Sequence, residues 1–187
     1  LPTLYQWKMM REGAYVTGIE PANTEGIMGR VDDVINVAGH RLGTKELESA
    51  ALTVEAVGEA AAVPAYDELK GRVPEMFVSL KPGYEATEEV EERVKQATVQ
   101  IIGPIARPAH VWVTSDLPKT RSGKIMRRVI ASISNFIDVG DTTTLANPEV
   151  VEEVRLQVQS AKVKAGQVPK GVPKEVLEDL ARFGEES

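Results

Sequence analysis

Apolar residues recur at helical spacing in two clear stretches of the chain. In Thr87 to Ile102, Val90, Val94, Ala97 and Ile101 mark one face with charges between them, which predicts an amphipathic helix ended by Gly103-Pro104. Leu47, Ala50, Ala51 and Val54 do the same after Thr44, predicting a helix from Lys45 to about Val54 with Thr44 as its cap. Shorter apolar runs read as strands: Val34–Val37 before a turn at Ala38-Gly39, Ala60–Pro64, Met76–Leu80 and His110–Thr114. Ser122 and Gly123 can open a further helix running to about Ile133, with Ser122 as its N-cap. The order β-α-β-β-α-β-α predicts an α+β fold, a small mixed sheet packed with helices.

Outside this core the pattern weakens. Ala14–Ile19 can form a strand before a Pro/Asn/Gly-rich turn at Glu20–Gly26, but residues 1–28 do not read as a domain. Pro148 can begin a helix carrying Val150, Val151, Val154 and Val158. Ala161–Lys174, rich in Lys, Gly and Pro, reads as a linker, with a short helix over Lys174–Phe183 after it. The expected divisions are 1–28, a lobe over 29–135, a tail with a helix over 136–160, and a linker with a terminal helix over 161–187.

Composition narrows the function. The chain has 187 residues, 42% hydrophobic, with a net charge of -6. The acidic balance argues against general nucleic-acid binding, and no apolar run approaches a membrane span. Without cysteine there is no thiol catalysis or disulfide, and two histidines far apart, His40 and His110, do not suggest a metal site. A cytoplasmic protein without a metal of its own is expected.

Against that acidic background, Leu117-Pro-Lys-Thr-Arg-Ser-Gly-Lys-Ile-Met-Arg-Arg128 holds Lys119, Arg121, Lys124, Arg127 and Arg128 within ten residues. A local cation cluster of this kind calls for an anion. Lys124, emerging near the start of the expected helix, would suit a carboxylate or phosphate. The segment is not a Walker A loop, because Pro118 and Ile125 break that pattern.

This block resembles the C-terminal signature of the AMP-forming acyl-CoA synthetases, the acetyl- and propionyl-CoA synthetases especially. Gly29-Arg-Val-Asp-Asp-Val-Ile-Asn-Val-Ala-Gly-His-Arg-Leu-Gly43 and Gly140-Asp-Thr-Thr-Thr-Leu-Ala-Asn-Pro148 are similar to further blocks of the same family, in the same order. The resemblance covers about residues 29–158. It implies the mobile C-terminal lobe of an enzyme that joins a short-chain carboxylate to CoA through an acyl-adenylate. ATP and CoA would be substrates, and Mg²⁺ would come with ATP, held mainly by a large N-terminal domain acting as partner. Lys124 matches the family's catalytic lysine and Asp32 its hinge acid. Arg30 and Arg41 match nucleotide contacts, and Gly39 matches the glycine lining the CoA pantetheine channel. Read as residues alone, Asp32-Asp33 is also a polar turn or a weak carboxylate pair for a metal, Arg30 and Arg41 are also structural ion-pair partners, and Gly39 is also a plain turn glycine.

Two positions depart from the family. Ile19 stands where an Asp grips the ATP ribose, and an isoleucine accepts no hydrogen bond. Val99-Gln100 stands where basic residues help hold CoA phosphate. No stretch resembles the large domain's Ser/Thr/Gly-rich phosphate loop. A non-catalytic binding or assembly module that keeps the lobe's fold is therefore the competing expectation.

Overall fold

The structure is a computed structural model that describes residues 34–186. The expected strand at Ala14–Ile19, Ile19 itself, Arg30 and Asp32 lie outside the described residues. Strand β1 (Val34–Val37) and strand β2 (His40–Gly43) form an antiparallel hairpin, pairing Val34 with Gly43 and Val37 with His40. Its turn residues, Ala38 at φ 48° and Gly39 at φ 86°, are both left-handed, a combination that matches the twist of a two-residue hairpin. The sequence pattern showed the turn but not β2, in which Leu42 is the one buried side chain.

Helix α1 (Thr44–Leu52) follows at once and buries Leu47, Ala50 and Ala51. Thr44 does not cap it. The N-cap is Gly43, without a side-chain hydrogen bond, and Thr44 is the first helical residue, 1% exposed. Strand β3 (Val57–Asp67) and strand β4 (Gly71–Leu80) make a long antiparallel hairpin, extending the two short runs expected here. Helix α2 (Glu88–Ile101) is capped by the Thr87 hydroxyl, which accepts the Val90 N–H. It crosses over to β5 (His110–Thr114), which pairs parallel to β4. A parallel pair requires such a crossover. The sheet order is β3-β4-β5, so the sheet is mixed as expected.

Central β4 is buried without interruption from Val73 to Ser79, because both its faces are covered. The period-two alternation divides its side chains between two cores. Met76 and Val78 join Ala60, Ala62 and Val111 beneath α1, α2 and the β1–β2 hairpin, with Leu47 and Val94. Phe77 faces the other way with Ala61 and Val63, against α3 (Arg127–Ser134) and α4 (Pro148–Lys164) through Ile130, Ile133, Val151, Val154 and Val158.

Helix α4 runs four residues past the expected limit at Ser160, and Lys162 in that extension is buried. Helix α5 (Lys174–Glu186) packs on α4. Leu180 and Phe136 centre a third cluster with Leu156, Val163, Val168, Val172 and Val176. The stretch read as a linker is thus helical up to Lys164 and contributes apolar side chains beyond it. Burial of those valines offsets the entropy of ordering a Gly/Pro-rich segment. The architecture is α+β.

Candidate functional site

The cationic block does not begin a helix. Gly123 sits at φ 89°, which a right-handed helix excludes, and α3 starts only at Arg127. Its N-cap is Met126, so Ser122 caps nothing. Residues 119–125 instead form a small hairpin closed by an antiparallel bridge between Lys119 and Ile125. Thr120 N–H donates to the Lys124 carbonyl at 2.8 Å, and Lys124 N–H donates to Thr120 Oγ1 at 3.0 Å. Gly123 N–H donates to the Thr120 carbonyl at 2.9 Å, and Met126 N–H to Pro118 at 2.8 Å. Both backbone groups of Lys124 are therefore fixed by one residue across the hairpin. The expected helix-start anion site is absent, and a pinned loop takes its place.

The segment Leu145–Asn147 lies along the other side of this hairpin. Thr120 bridges Leu145, and Ala146 N–H donates to the Lys119 carbonyl at 2.9 Å. Lys119 N–H donates to Asn147 Oδ1 at 2.9 Å. The Asn147 amide donates to the Leu117 carbonyl at 2.8 Å and to Asp116 Oδ2 at 3.1 Å. Leu117, fully buried, anchors the base of the loop in the second core.

Five cations that are indistinguishable in sequence separate by their partners. Lys119 Nζ reaches Glu59 Oε1 at 2.7 Å and Asp116 Oδ1 at 2.8 Å. Burial opposes the ionisation of Asp116, but hydrogen bonds from Lys119, the Leu117 N–H and Asn147 outweigh it and hold the carboxyl below its usual range. Burial likewise opposes the charge on Lys119, and its bonds to Asp116 and Glu59 outweigh that and raise its pKa. Arg127 forks onto Glu48, with Nε 2.6 Å from Oε2 and a second contact to Oε1. Glu48 Oε2 also accepts the Ala62 N–H at 2.9 Å, so this pair ties α1, β3 and α3 together.

Arg121, Lys124 and Arg128 are exposed and form no ion pair among the described residues. Of the two on the loop, Arg121 and Lys124, it is Lys124 whose backbone is bonded on both sides. Arg41 and Gly39 are exposed on the β1–β2 hairpin, and among the described residues no hydrogen bond joins that hairpin to the 117–126 loop. A Cβ at Gly39 would meet nothing within 4 Å, so its backbone φ requires glycine there and packing within the lobe does not.

Val99 and Gln100 occupy the last turn of α2 and add no charge there. Among the described residues no three His, Asp or Glu side chains come together to hold a metal ion. Two clefts, of 210 and 340 Å³, lie elsewhere, the first around Glu75, His110 and Lys162 and the second around Val37, Lys95 and Arg107. Neither is lined by a loop residue. Glu48, Glu59 and Asp116 gave no recognised signal in the sequence, and Asn147 was visible only as a member of the Gly140–Pro148 block. Glu48 and Glu59 act between elements, and Asp116 and Asn147 between two loop segments distant in sequence.

Comparison with known proteins places this fold and its cationic loop among adenylate-forming enzymes. Residues 46–124 match the AMP-binding enzyme C-terminal domain family, and this part of the chain is similar to the C-terminal domain of AMP-forming acyl-CoA synthetases. Among sequence relatives, the acetyl-coenzyme A synthetase of Rubrobacter xylanophilus is 49% identical over 137 residues, 73% of this chain and 21% of that protein. The acetyl-coenzyme A synthetase of Methanothrix thermoacetophila is 42% identical over 159 residues, 81% of this chain and 24% of that one. Among solved structures, a Brucella canis acyl-CoA synthetase matches with a TM-score of 0.54 at 37% identity, over 57% of this chain and 20% of that one. An anthranilate CoA ligase in complex with anthranoyl-AMP matches with a TM-score of 0.53 at 29% identity, over 57% and 20%. The chain thus spans about a fifth of the length of the relatives it matches.

Proposed function

We propose that this chain works as the mobile C-terminal lobe of an AMP-forming acyl-CoA synthetase of the acetyl/propionyl type, with Lys124 as its catalytic cation. The observation that carries the reading is the pinned backbone and unpaired charge of Lys124, in a cluster where Lys119 and Arg127 are consumed by structural pairs.

In the first half-reaction a carboxylate oxygen attacks the α-phosphorus of ATP and pyrophosphate leaves. Negative charge accumulates where the two anions meet, and a preorganised ammonium stabilises it. In the second, the CoA thiol attacks the acyl carbonyl and AMP leaves. Rotation of the lobe about Asp32 would withdraw Lys124 between the steps and present the Gly39 hairpin to the pantetheine arm. Arg30 and Arg41 would contact ribose or phosphate oxygens, for which a guanidinium fork is suited. Lys124 sits on neither cleft, which fits a group that meets its reactants on the surface of a second body. That body is the large adenylate-forming domain, which would also hold the Mg²⁺ that accompanies ATP. The names of the sequence relatives support a short-chain carboxylate as the substrate, and the proposed location is the cytoplasm.

Val99 and Gln100 favour a weaker grip on CoA phosphate and, with Ile19 in place of the ribose-binding acid, support a non-catalytic binding module instead. Fusing this chain in place of the matched C-terminal fifth of the Rubrobacter enzyme separates the readings. Acyl-dependent ATP–pyrophosphate exchange by the fusion, with none by the chain alone, supports the catalytic lobe. A folded but inactive fusion, or robust exchange by the chain alone, contradicts it.

A further inference from the structure

The block Gly140–Pro148 has no assigned role in this chemistry, yet its last residues lie against the loop that carries Lys124. Asn147 uses three of its four hydrogen-bonding positions there, donating to Leu117 O and Asp116 Oδ2 and accepting from Lys119 N–H. All three partners precede the loop tip, so one side chain clamps the hairpin's base. Ala146 and Leu145 continue the contact to Lys119 and Thr120. Thr120 is in turn the residue that holds both backbone groups of Lys124. The chain of contacts from Asn147 to Lys124 is therefore continuous: Asn147 to Lys119, Lys119 to Thr120, Thr120 to Lys124.

We propose that Asn147 is a positioning residue for Lys124, clamping the base of the 119–125 hairpin so that the ammonium is presented from a fixed backbone during adenylation. This rests on the catalytic reading of Lys124 given above. A lysine carries its charge on a flexible stem, so any backbone freedom adds to the freedom of the side chain. A loose loop lowers the population of the productive geometry without removing the charge. The chemistry of the clamp requires an amide. Alanine leaves the buried Leu117 carbonyl and the Lys119 N–H without partners. Aspartate still accepts from Lys119 N–H, but it has no donor for Leu117 and sets a second carboxylate against Asp116. The other charges facing this point are Lys119, on the loop, and Glu59, on β3. Two facing carboxylates do not ionise together without cost, so Asn147→Asp should recover as pH falls and one of them takes a proton that it can donate.

Two measurements test this. In the full chain, Asn147→Ala should speed amide hydrogen exchange at Lys119, Thr120 and Lys124 by about tenfold or more, leaving α2 unchanged. Wild-type protection at Lys124 would overturn the clamp. In the Rubrobacter fusion, Asn147→Ala should lower pyrophosphate exchange by about 10- to 100-fold while thioester formation from pre-made acyl-adenylate stays within about twofold. The Asn147→Asp deficit should shrink as pH falls toward about 5, near the carboxylate range. A pH-independent deficit, or equal loss in both half-reactions, contradicts a positioning role. Lys124→Ala is the control: if it cripples exchange and Asn147→Ala does not, the clamp alone fails. If Lys124→Ala also leaves exchange intact, the catalytic reading fails with it.

Discussion

Lys162 on α4 donates to Glu75 on β4 at 2.8 Å, with their side chains 6% and 3% exposed. Lys162 also donates to the carbonyl and hydroxyl of Ser134, and Glu75 accepts from Trp112 Nε1 at 2.9 Å and from the Ser134 hydroxyl. The charges are thus paired and their remaining donors and acceptors met, which is the condition for tolerating burial. Lys162→Met leaves Glu75 charged and uncompensated, and should destabilise the lobe by about 3–5 kcal/mol in urea unfolding. Adding Glu75→Gln should recover part of the loss. A single variant as stable as wild type would show that the pair is not buried.

The Asp116–Lys119 pair sets a pH window. The carboxyl pKa is lowered by folding, so its contribution is present above its unfolded value of about 3.9 and is lost as pH falls through the folded one. The lysine pKa is raised, so its contribution is present below about 10.4 and is lost as pH rises through the folded value. Stability from this pair should be flat between these limits. Asp116→Asn should flatten the acid limb of the urea midpoint below about pH 4. An unchanged acid limb would show that Asp116 carries none of it.

Gly123 holds the loop tip at φ 89°, and a Cβ there would meet nothing within 4 Å, so substitution strains the backbone alone. Gly123→Ala should cost about 1–2 kcal/mol and Gly123→Asn less, because asparagine visits this region more readily. Equal stability of all three in thermal unfolding would contradict the hairpin and favour the helix start.

Proteolysis reads the C-terminal half. Lys70-Gly71 and Lys170-Gly171 are exposed turns with glycine φ of 82° and 95°, whereas Lys162 is buried within α4. Among sites in the described residues, trypsin should cut after Lys70 and Lys170 before it cuts after Lys162. Early cleavage at Lys162 would mean that α4 ends near Ser160 after all.

Much of the fold was legible because its signals are local. Helix α2 has a capping threonine, an apolar stripe that buries Val94 and Ala97 but leaves Ile101 exposed, and Gly103-Pro104 at its end, and β5 alternates; both elements fall where the pattern puts them. Errors arose where distant residues decide. Ser122-Gly123 has the local look of a helix start, but hydrogen bonds to Leu145–Asn147, more than twenty positions away, favour a hairpin. Polarity misled at the end of α4, where Gln159, Ser160 and Lys162 are polar and buried. At the site, the five cations were visible as a group. Their separation into structural and unpaired members depended on Glu48 and Glu59, which no spacing connects to them.

The most direct measurement concerns Lys124. In the fusion with a large adenylate-forming domain, Lys124→Ala should reduce acyl-dependent ATP–pyrophosphate exchange by about 100-fold or more, the size of effect seen when one preorganised charge-stabilising donor is lost. Single-turnover thioester formation from pre-made acyl-adenylate should stay near wild type, because the ammonium acts only while carboxylate and phosphate approach. Equal loss in both half-reactions, or loss in neither, would contradict the role of Lys124 and with it the catalytic reading of this lobe.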